Sequence, residues 1–151
     1  MIGSGVRIDR ATAADTGALL ALMERAHLPT DGLSSHLDAA FVARDGDRVV
    51  GSAAIELYAD GGLLRSVAVD AECRGSGLGA RLTAAAIDEA QRRQLPALYL
   101  LTTTAERFFP RFGFEPITRD EVPASVQDSI EFRGACPASA VVMLKRLPGS
   151  R

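Results

Sequence analysis

Arg74-Gly75-Ser76-Gly77-Leu78-Gly79 is the stretch on which the reading of this chain turns. Before it runs an apolar segment, Leu63-Leu64-Arg65-Ser66-Val67-Ala68-Val69, and after it a segment of helical spacing from Leu78 through Gln91. A strand, a glycine-rich turn and a helix in that order form a cradle for a phosphate group. Glycines let the backbone approach an anion closely and let N–H groups converge on it. The helix that follows adds its positive N-terminal end, and Arg74 adds a fixed cation. The expectation is a phosphate-bearing cofactor.

The form of the loop narrows which one. A P-loop ends in Gly-Lys-Ser/Thr, and no such lysine occurs here. A dinucleotide fingerprint needs Gly-x-Gly-x-x-Gly, but Gly75, Gly77 and Gly79 leave Ala80 or Leu82 where the third glycine would fall. The pattern Arg-x-x-Gly-x-Gly, preceded by Val67-Ala68-Val69, instead resembles the acyl-CoA loop of the GNAT family of N-acetyltransferases. A glycine-rich turn with no ligand remains the plain structural alternative. The resemblance implies that acetyl-CoA is the cosubstrate. It also implies that backbone amides from Gly75 to Ala80, through Ser76, Gly77, Leu78 and Gly79, hold the pyrophosphate beside Arg74.

Composition is compatible with that reading. The 151 residues suit one domain with a full core, and 47% hydrophobic content is ordinary for a globular protein. No apolar run approaches the ~20 residues that span a membrane, and residues 1–7 lack the apolar core of a secretory signal. The net charge is −2 and Lys145 is the single lysine, so nothing favours nucleic acid. Cys73 and Cys136 make neither a disulfide framework nor a metal spacing. With His27 and His36 the only histidines, no metal site is expected. The expected location is the cytoplasm.

Along the chain, Val6–Asp9 reads as a strand. Leu19, Leu20, Leu22, Met23 and Ala26 then repeat at helical spacing, with Thr12 or Asp15 as cap and Pro29 and Gly32 as stop. A short helix is expected around Ser34–Leu37. Phe41–Arg44 and Arg48–Tyr58 read as a hairpin through Asp45-Gly46-Asp47. Asp60-Gly61-Gly62 turns the chain into the strand before the loop. Ala97–Thr102 is a continuous apolar strand, consistent with a central position. Ala105–Phe112 reads as a short helix ending at Gly113, and Ala138–Lys145 as a last strand.

The order β-α-α-β-β-β-α-β-α-β is the one expected for the acyl-CoA N-acyltransferase fold. That is an α/β (α+β) domain over residues 1–151, with a mixed, mostly antiparallel sheet flanked by helices. Phe108-Phe109-Pro110-Arg111-Phe112-Gly113-Phe114 resembles the family's second mark, Phe-Tyr-x-x-x-Gly-Phe, although an amphipathic helix with a glycine cap reads the same way. Leu101–Glu106, Ser129–Phe132 and Cys136–Ala140 further resemble a branch associated with arsenic resistance. Family members are often dimers, so a monomer or a homodimer is expected.

Transfer from a thioester to an amine requires positioning, carbonyl polarisation, a base for the amine and a proton for the thiolate. By resemblance, the backbone of Val67, Ala68 and Val69 pairs with the pantetheine arm, and one N–H there faces the thioester oxygen. Phe108 and Phe109 flank the cofactor. Phe109 stands where the family has its proton-donating tyrosine and has no proton to give, so the acid role is not carried over. If Asp60-Gly61-Gly62 closes a hairpin in simple register, Tyr58 opposes Leu64 and Glu56 opposes Ser66. Glu56, Tyr58, Leu64, Ser66 and Ala68 then share one face. An exposed sheet edge with ordinary polar residues is the competing account. Glu56, Ser66 and Glu131 are the candidate catalytic residues. Tyr58 and Arg65 are the candidate acceptor contacts, Arg65 either as a carboxylate fork or as a side chain snorkelling from an edge. The activity expected is direct acetyl transfer to the primary amine of a small, amino-acid-like molecule. An acetyl-CoA-binding sensor and a protein or peptide N-acetyltransferase are the alternatives.

Overall fold

A computed structural model of the chain describes residues 6–28, 30, 33, 37–103, 105–129, 132 and 140–147. The chain opens with β1 (Val6–Arg10) and a 3₁₀ turn, Ala13–Asp15, that leads into α1 (Thr16–Arg25). Thr12 and Asp15 share the capping: the Asp15 carboxylate accepts from the Thr12 backbone N–H at 2.8 Å, and Asp15 is itself the N-cap of α1. Leu19, Leu22 and Met23 form the buried stripe of α1. The helix ends at Arg25, short of the expected stop, because His27 takes a left-handed φ of 58°. Pro29, Gly32 and the expected helix start at Ser34 lie outside the described residues.

β2 (Ala40–Asp45) and β3 (Arg48–Tyr58) form the expected hairpin, with Asp45 opposite Arg48 across a two-residue turn. β4 (Gly61–Val69) follows, then α2 (Leu78–Arg92) and β5 (Ala97–Thr102). β6 (Glu115–Ile117), α3 (Ala124–Gln127) and β7 (Val141–Arg146) complete the described elements. The strands form one sheet in the order β1-β2-β3-β4-β5-β7-β6, antiparallel except where β4 meets β5. This is the mixed, mostly antiparallel architecture expected.

Two local readings differ from the structure, and β6 is a strand the sequence reading did not contain. Ala105–Phe112 is a 3₁₀ helix over Phe109–Phe112 preceded by turns, because Pro110 contributes no N–H and restricts the residue before it. Gly113, at φ 92°, closes it as expected. β6 carries Pro116, which is tolerated because β6 is the outermost strand. The last strand starts at Val141, and residues 138–139 of its expected range lie outside the described residues.

The β3–β4 hairpin is the correction that matters for the site. The turn is Ala59-Asp60, so Tyr58 opposes Gly61, Glu56 opposes Leu63 and Ala54 opposes Arg65. Gly61 and Gly62 sit inside the strand rather than in the turn. A Cβ on Gly62 would lie 2.7 Å from Ile55 Cγ2 and 3.0 Å from Leu98 Cδ2, so this glycine is there for close approach. Leu64 therefore pairs with Ile55 and joins the opposite face from Glu56. Further on, Ser52 opposes Ala68 while Ala54 opposes Arg65, so β4 carries one extra residue. Ser66, at φ 58°, sits in this bulge.

The sheet has a core on each side. Under α2 lie Ile55, Leu64, Leu82, Ala86, Leu98, Leu100, Phe109, Phe114 and Met143. The other side is split. Leu19, Leu22, Met23, Val42, Ala54 and Ala68 pack around α1, whereas Leu63, Tyr99, Val122, Val126, Val142 and Leu144 pack around α3.

Candidate active site

The cofactor loop grows from the end of β4. Asp70 leads into a 3₁₀ turn, Ala71–Cys73, then Arg74 in extended conformation, then the glycines, then α2. Gly75 and Gly77 have φ of 84° and 82°, and a Cβ on either meets no heavy atom within 4 Å. These glycines are required by backbone conformation, and the space in front of them is open. Arg74, Gly75, Ser76 and Gly77 are all exposed. The first turn of a helix leaves its N–H groups without intrahelical partners. Here those belong to Leu78, Gly79 and Ala80, beside the open glycines, so the residues present fit an anion. The Ser76 hydroxyl donates to the Cys73 carbonyl and braces the loop. Gly79 lies where a Cβ would be 3.6 Å from both the Phe108 ring and Val69 Cγ2, so it brings the helix start onto β4.

Asp70 anchors this loop, a residue not singled out from the sequence. Its carboxylate accepts from Arg48 of β3 at 3.0 Å and from Arg25 of α1 at 3.3 Å, and its N–H donates to Val50 at 2.8 Å. Cys73 is buried, and burial raises its thiol above the usual range, with Asp70 and Glu72 acting in the same direction. That thiol is not poised as a nucleophile.

Beside the loop the sheet opens. β4 and β5 pair at Gly62–Leu98 and Leu63–Tyr99, and among the described residues the parallel ladder goes no further. β5 turns its other edge to β7 along its full length. The backbone of Val67, Ala68 and Val69 therefore lines a gap, where an extended chain can pair with β4.

On the face away from α2, the new register gathers a polar cluster between the α1 and α3 patches. Arg65 Nη1 donates to Glu56 Oε2 at 2.6 Å, and Arg65 Nε donates to Ser66 Oγ at 3.1 Å. Tyr58 donates its phenol proton to Glu56 Oε1. Ser52 Oγ donates to the Ser66 carbonyl at 2.6 Å. The Arg65 and Glu56 side chains are 0% and 2% exposed, whereas Tyr58 is half-buried. Burial, and then the hydrogen bond and charge of Glu56, push the Tyr58 phenol well above its ordinary value. Arg65 and the Ser129 hydroxyl offset this in part.

The cluster brings together Glu56, Ser66, Tyr58 and Arg65. It does not contain Leu64, which the register sends to the other core. Arg65 neither snorkels nor presents a free fork, since its guanidinium is buried against Glu56 and Ser66. Ser52 joins the cluster without any local signal in the sequence. Phe109 is 6% exposed and packs edge-on against Phe108 and Phe114, in the core under α2. Glu131, His36 and Cys136 lie outside the described residues, and His27 is exposed at the end of α1. Among the described residues, no three His, Cys, Asp or Glu side chains converge as metal ligands. Among the same residues, no helix is long and apolar enough to cross a membrane.

This geometry has relatives. An acetyltransferase (GNAT) domain model matches residues 36–116, more than half of the chain. An amino-acid acetyltransferase from Neisseria meningitidis is 25% identical over 80% of this chain and 28% of its own length. One from Mycobacterium tuberculosis is 37% identical over 55% of this chain and 48% of its own. The chain thus spans less than half the length of these curated relatives. N-acetylglutamate synthase from Neisseria gonorrhoeae, complexed with coenzyme A and L-arginine, shares the fold with a TM-score of 0.79. Its identity is 24%, over 97% of this chain and 34% of that one. Rv2747 from Mycobacterium tuberculosis, in complex with CoA and NLQ, has a TM-score of 0.78 and 26% identity, over 93% of this chain and 99% of that one. None of these comparisons points to an arsenic-resistance branch in particular. The chain belongs to the GNAT acetyltransferase family, N-acetyltransferase domains whose acyl donor is acetyl-CoA.

Proposed function

We propose that this chain transfers an acetyl group from acetyl-CoA directly to the primary amine of a small, amino-acid-like molecule. The observation that carries the reading is the Glu56–Tyr58–Arg65 cluster, its Glu56 and Arg65 buried, on β3 and on β4, whose other edge borders the open gap toward β5. A carboxylate held there suits deprotonation of an ammonium group, the step an amine acceptor needs before attack. The names of the Neisseria and Mycobacterium relatives support an amino-acid acceptor. The backbone of Val67, Ala68 and Val69 would hold the pantetheine arm, and one N–H there would polarise the thioester carbonyl. Gly75 to Ala80, with Arg74, would hold the pyrophosphate. Phe108 and Phe109 would wall the cofactor side, and water would protonate the leaving thiolate.

A sensor that binds acetyl-CoA without turning it over draws support from Phe109, whose ring has no proton to donate. It leaves the buried Glu56 without a role, and the transferase reading is preferred for that reason. The stretches Leu101–Glu106 and Ser129–Phe132 support placement in the arsenic-resistance-associated branch. The buried Cys73 thiol speaks against direct capture of arsenic. A cytoplasmic location suits a free cysteine and an intracellular acyl donor.

The test is a calorimetric titration of acetyl-CoA, followed by a panel of amino acids and simple amines with release of free thiol as the readout. Binding with amine-dependent release is the expected result. Binding without release across the panel favours the sensor, and no binding overturns the assignment.

A further inference from the structure

Glu56 is the obvious base, yet its carboxylate is closed off from solvent. Both of its carboxylate oxygens already receive protein donors, Oε2 from Arg65 and Oε1 from Tyr58. The residue is 1% exposed and Arg65 is 3% exposed. Tyr58, two residues further along β3, is half-buried and is the member of the three that reaches the surface. The hydrogen bonds therefore connect Arg65 to Glu56 and Glu56 to Tyr58, and Tyr58 is the end that meets the surface.

Resting on the transferase reading above, we infer that Tyr58 is the group that touches the acceptor ammonium and passes its proton to the buried Glu56, while Arg65 is a positioning residue that holds Glu56 in place. The acceptor nitrogen gives one proton to the Tyr58 oxygen as the phenol proton moves to Glu56 Oε1. Tyr58 is neutral before and after, and Glu56 ends protonated. The freed nitrogen lone pair forms the N–C bond at the thioester carbonyl, and the C–S bond breaks. The second nitrogen proton ends on the sulfur through water. Glu56 then returns its proton to solvent along the same path. A phenol that resists ionisation suits this task, because the relay never requires a tyrosinate. Arg65 contributes a donor that fixes Glu56 Oε2 in place and leaves Oε1 turned to Tyr58.

The test is Tyr58→Phe, which removes the hydroxyl and keeps the ring. Acceptors are the amino-acid panel together with ethylamine, 2-fluoroethylamine and 2,2,2-trifluoroethylamine, similar in size and falling in basicity. For amines charged at neutral pH, kcat falls about 100-fold, in the range of lost acid–base catalysis. Acetyl-CoA affinity by calorimetry and the acceptor KM stay within about twofold of wild type. The deficit shrinks toward none for trifluoroethylamine, which needs no deprotonation. In Glu56→Gln the second change, Tyr58→Phe, adds no further loss, because the two residues act as one unit. Arg65→Lys keeps the charge and retains most of kcat, whereas Arg65→Met loses it with acceptor KM unchanged. An equal deficit for all three fluorinated and unfluorinated amines overturns the relay and makes Tyr58 a packing residue. So does additive loss in the double variant. A raised KM confined to carboxylate-bearing acceptors in Arg65→Met also overturns it, since Arg65 then binds substrate. If wild type binds acetyl-CoA but releases thiol with no amine, the transferase reading fails and the relay with it.

Discussion

At the scale of single residues, the glycine loop and the Glu56 cluster use opposite strategies. Gly75 and Gly77 are exposed and surrounded by open space, and their left-handed φ values are what a side chain would resist. An L-residue in that conformation is strained by roughly 1–2 kcal/mol. Gly77→Ala combined with Arg74→Ala should weaken acetyl-CoA binding at least about tenfold, while the melting temperature falls by only a few degrees. Calorimetry and thermal denaturation on the same sample check this, and unchanged affinity would remove the loop assignment. Ser66 is the contrary case, a non-glycine residue at φ 58° in a buried bulge. Its backbone carbonyl accepts from Ser52 and its hydroxyl accepts from Arg65. Strain there is held by surrounding structure and brings the Ser66 hydroxyl to Arg65 while Arg65 reaches Glu56.

The decisive element is the β3–β4 hairpin. A turn of Ala59-Asp60, rather than one through Gly61-Gly62, shifts which residues oppose one another, and the bulge at Ser66 shifts them again. Because strand side chains alternate, a change of this kind decides which face receives each group. Leu64 goes to the core under α2, and Arg65 comes to Glu56. Gly62 is the steric key, with Ile55 Cγ2 and Leu98 Cδ2 close to its missing Cβ. Gly62→Ala should destabilise the protein by about 1–3 kcal/mol, the usual cost of overpacking a core. Chemical denaturation measures it. A neutral substitution would mean that Ile55 and Leu98 have room to retreat and that the glycine is not needed for close approach. The 3₁₀ helix at Phe109–Phe112 belongs to the same scale. Periodicity alone reads it as α-helical, and Pro110 prevents that.

Across the whole molecule, two ionic clasps fasten the first strand and helix to the rest. Asp15, at the start of α1, takes both arms of the Arg44 fork at 2.8 and 2.9 Å. Glu89 of α2 accepts from Arg10 of β1 at 2.6 Å and from Arg93 at 2.7 Å. Arg44 lowers the Asp15 carboxyl, and Arg10 lowers that of Glu89, each to about 2. A lowered folded-state value means that the unfolded chain binds protons more readily. The stabilisation is then complete above the ordinary carboxylate range and is lost as pH falls from about 4 toward 2. Each clasp contributes about 2 kcal/mol at neutral pH once screening around the part-exposed arginines is allowed for. Glu89→Gln should lower stability at pH 7 and flatten its decline between pH 4 and pH 2. Denaturation midpoints across that interval check both halves. A parallel decline in variant and wild type would show that Glu89 is not held by its arginines.

The sequence by itself determined the glycine-loop side of this protein: strand, glycine turn, helix, and the paired phenylalanine motif. Those features are local. A positive φ needs glycine, a helix start exposes its amides, and neither depends on distant residues. The Glu56 cluster was decided by tertiary structure. Glu56, Tyr58 and Arg65 were visible as unusual residues in apolar strands, but their partnership depends on a register and a bulge that side-chain packing sets. Ser52 gave no local sign at all, because a serine reads alike whether it faces water or completes a buried network. Whether Arg65 would meet solvent, substrate or Glu56 was an energetic question about the fold. Burial removes water as a partner for its charge, and the neighbouring carboxylate takes that place.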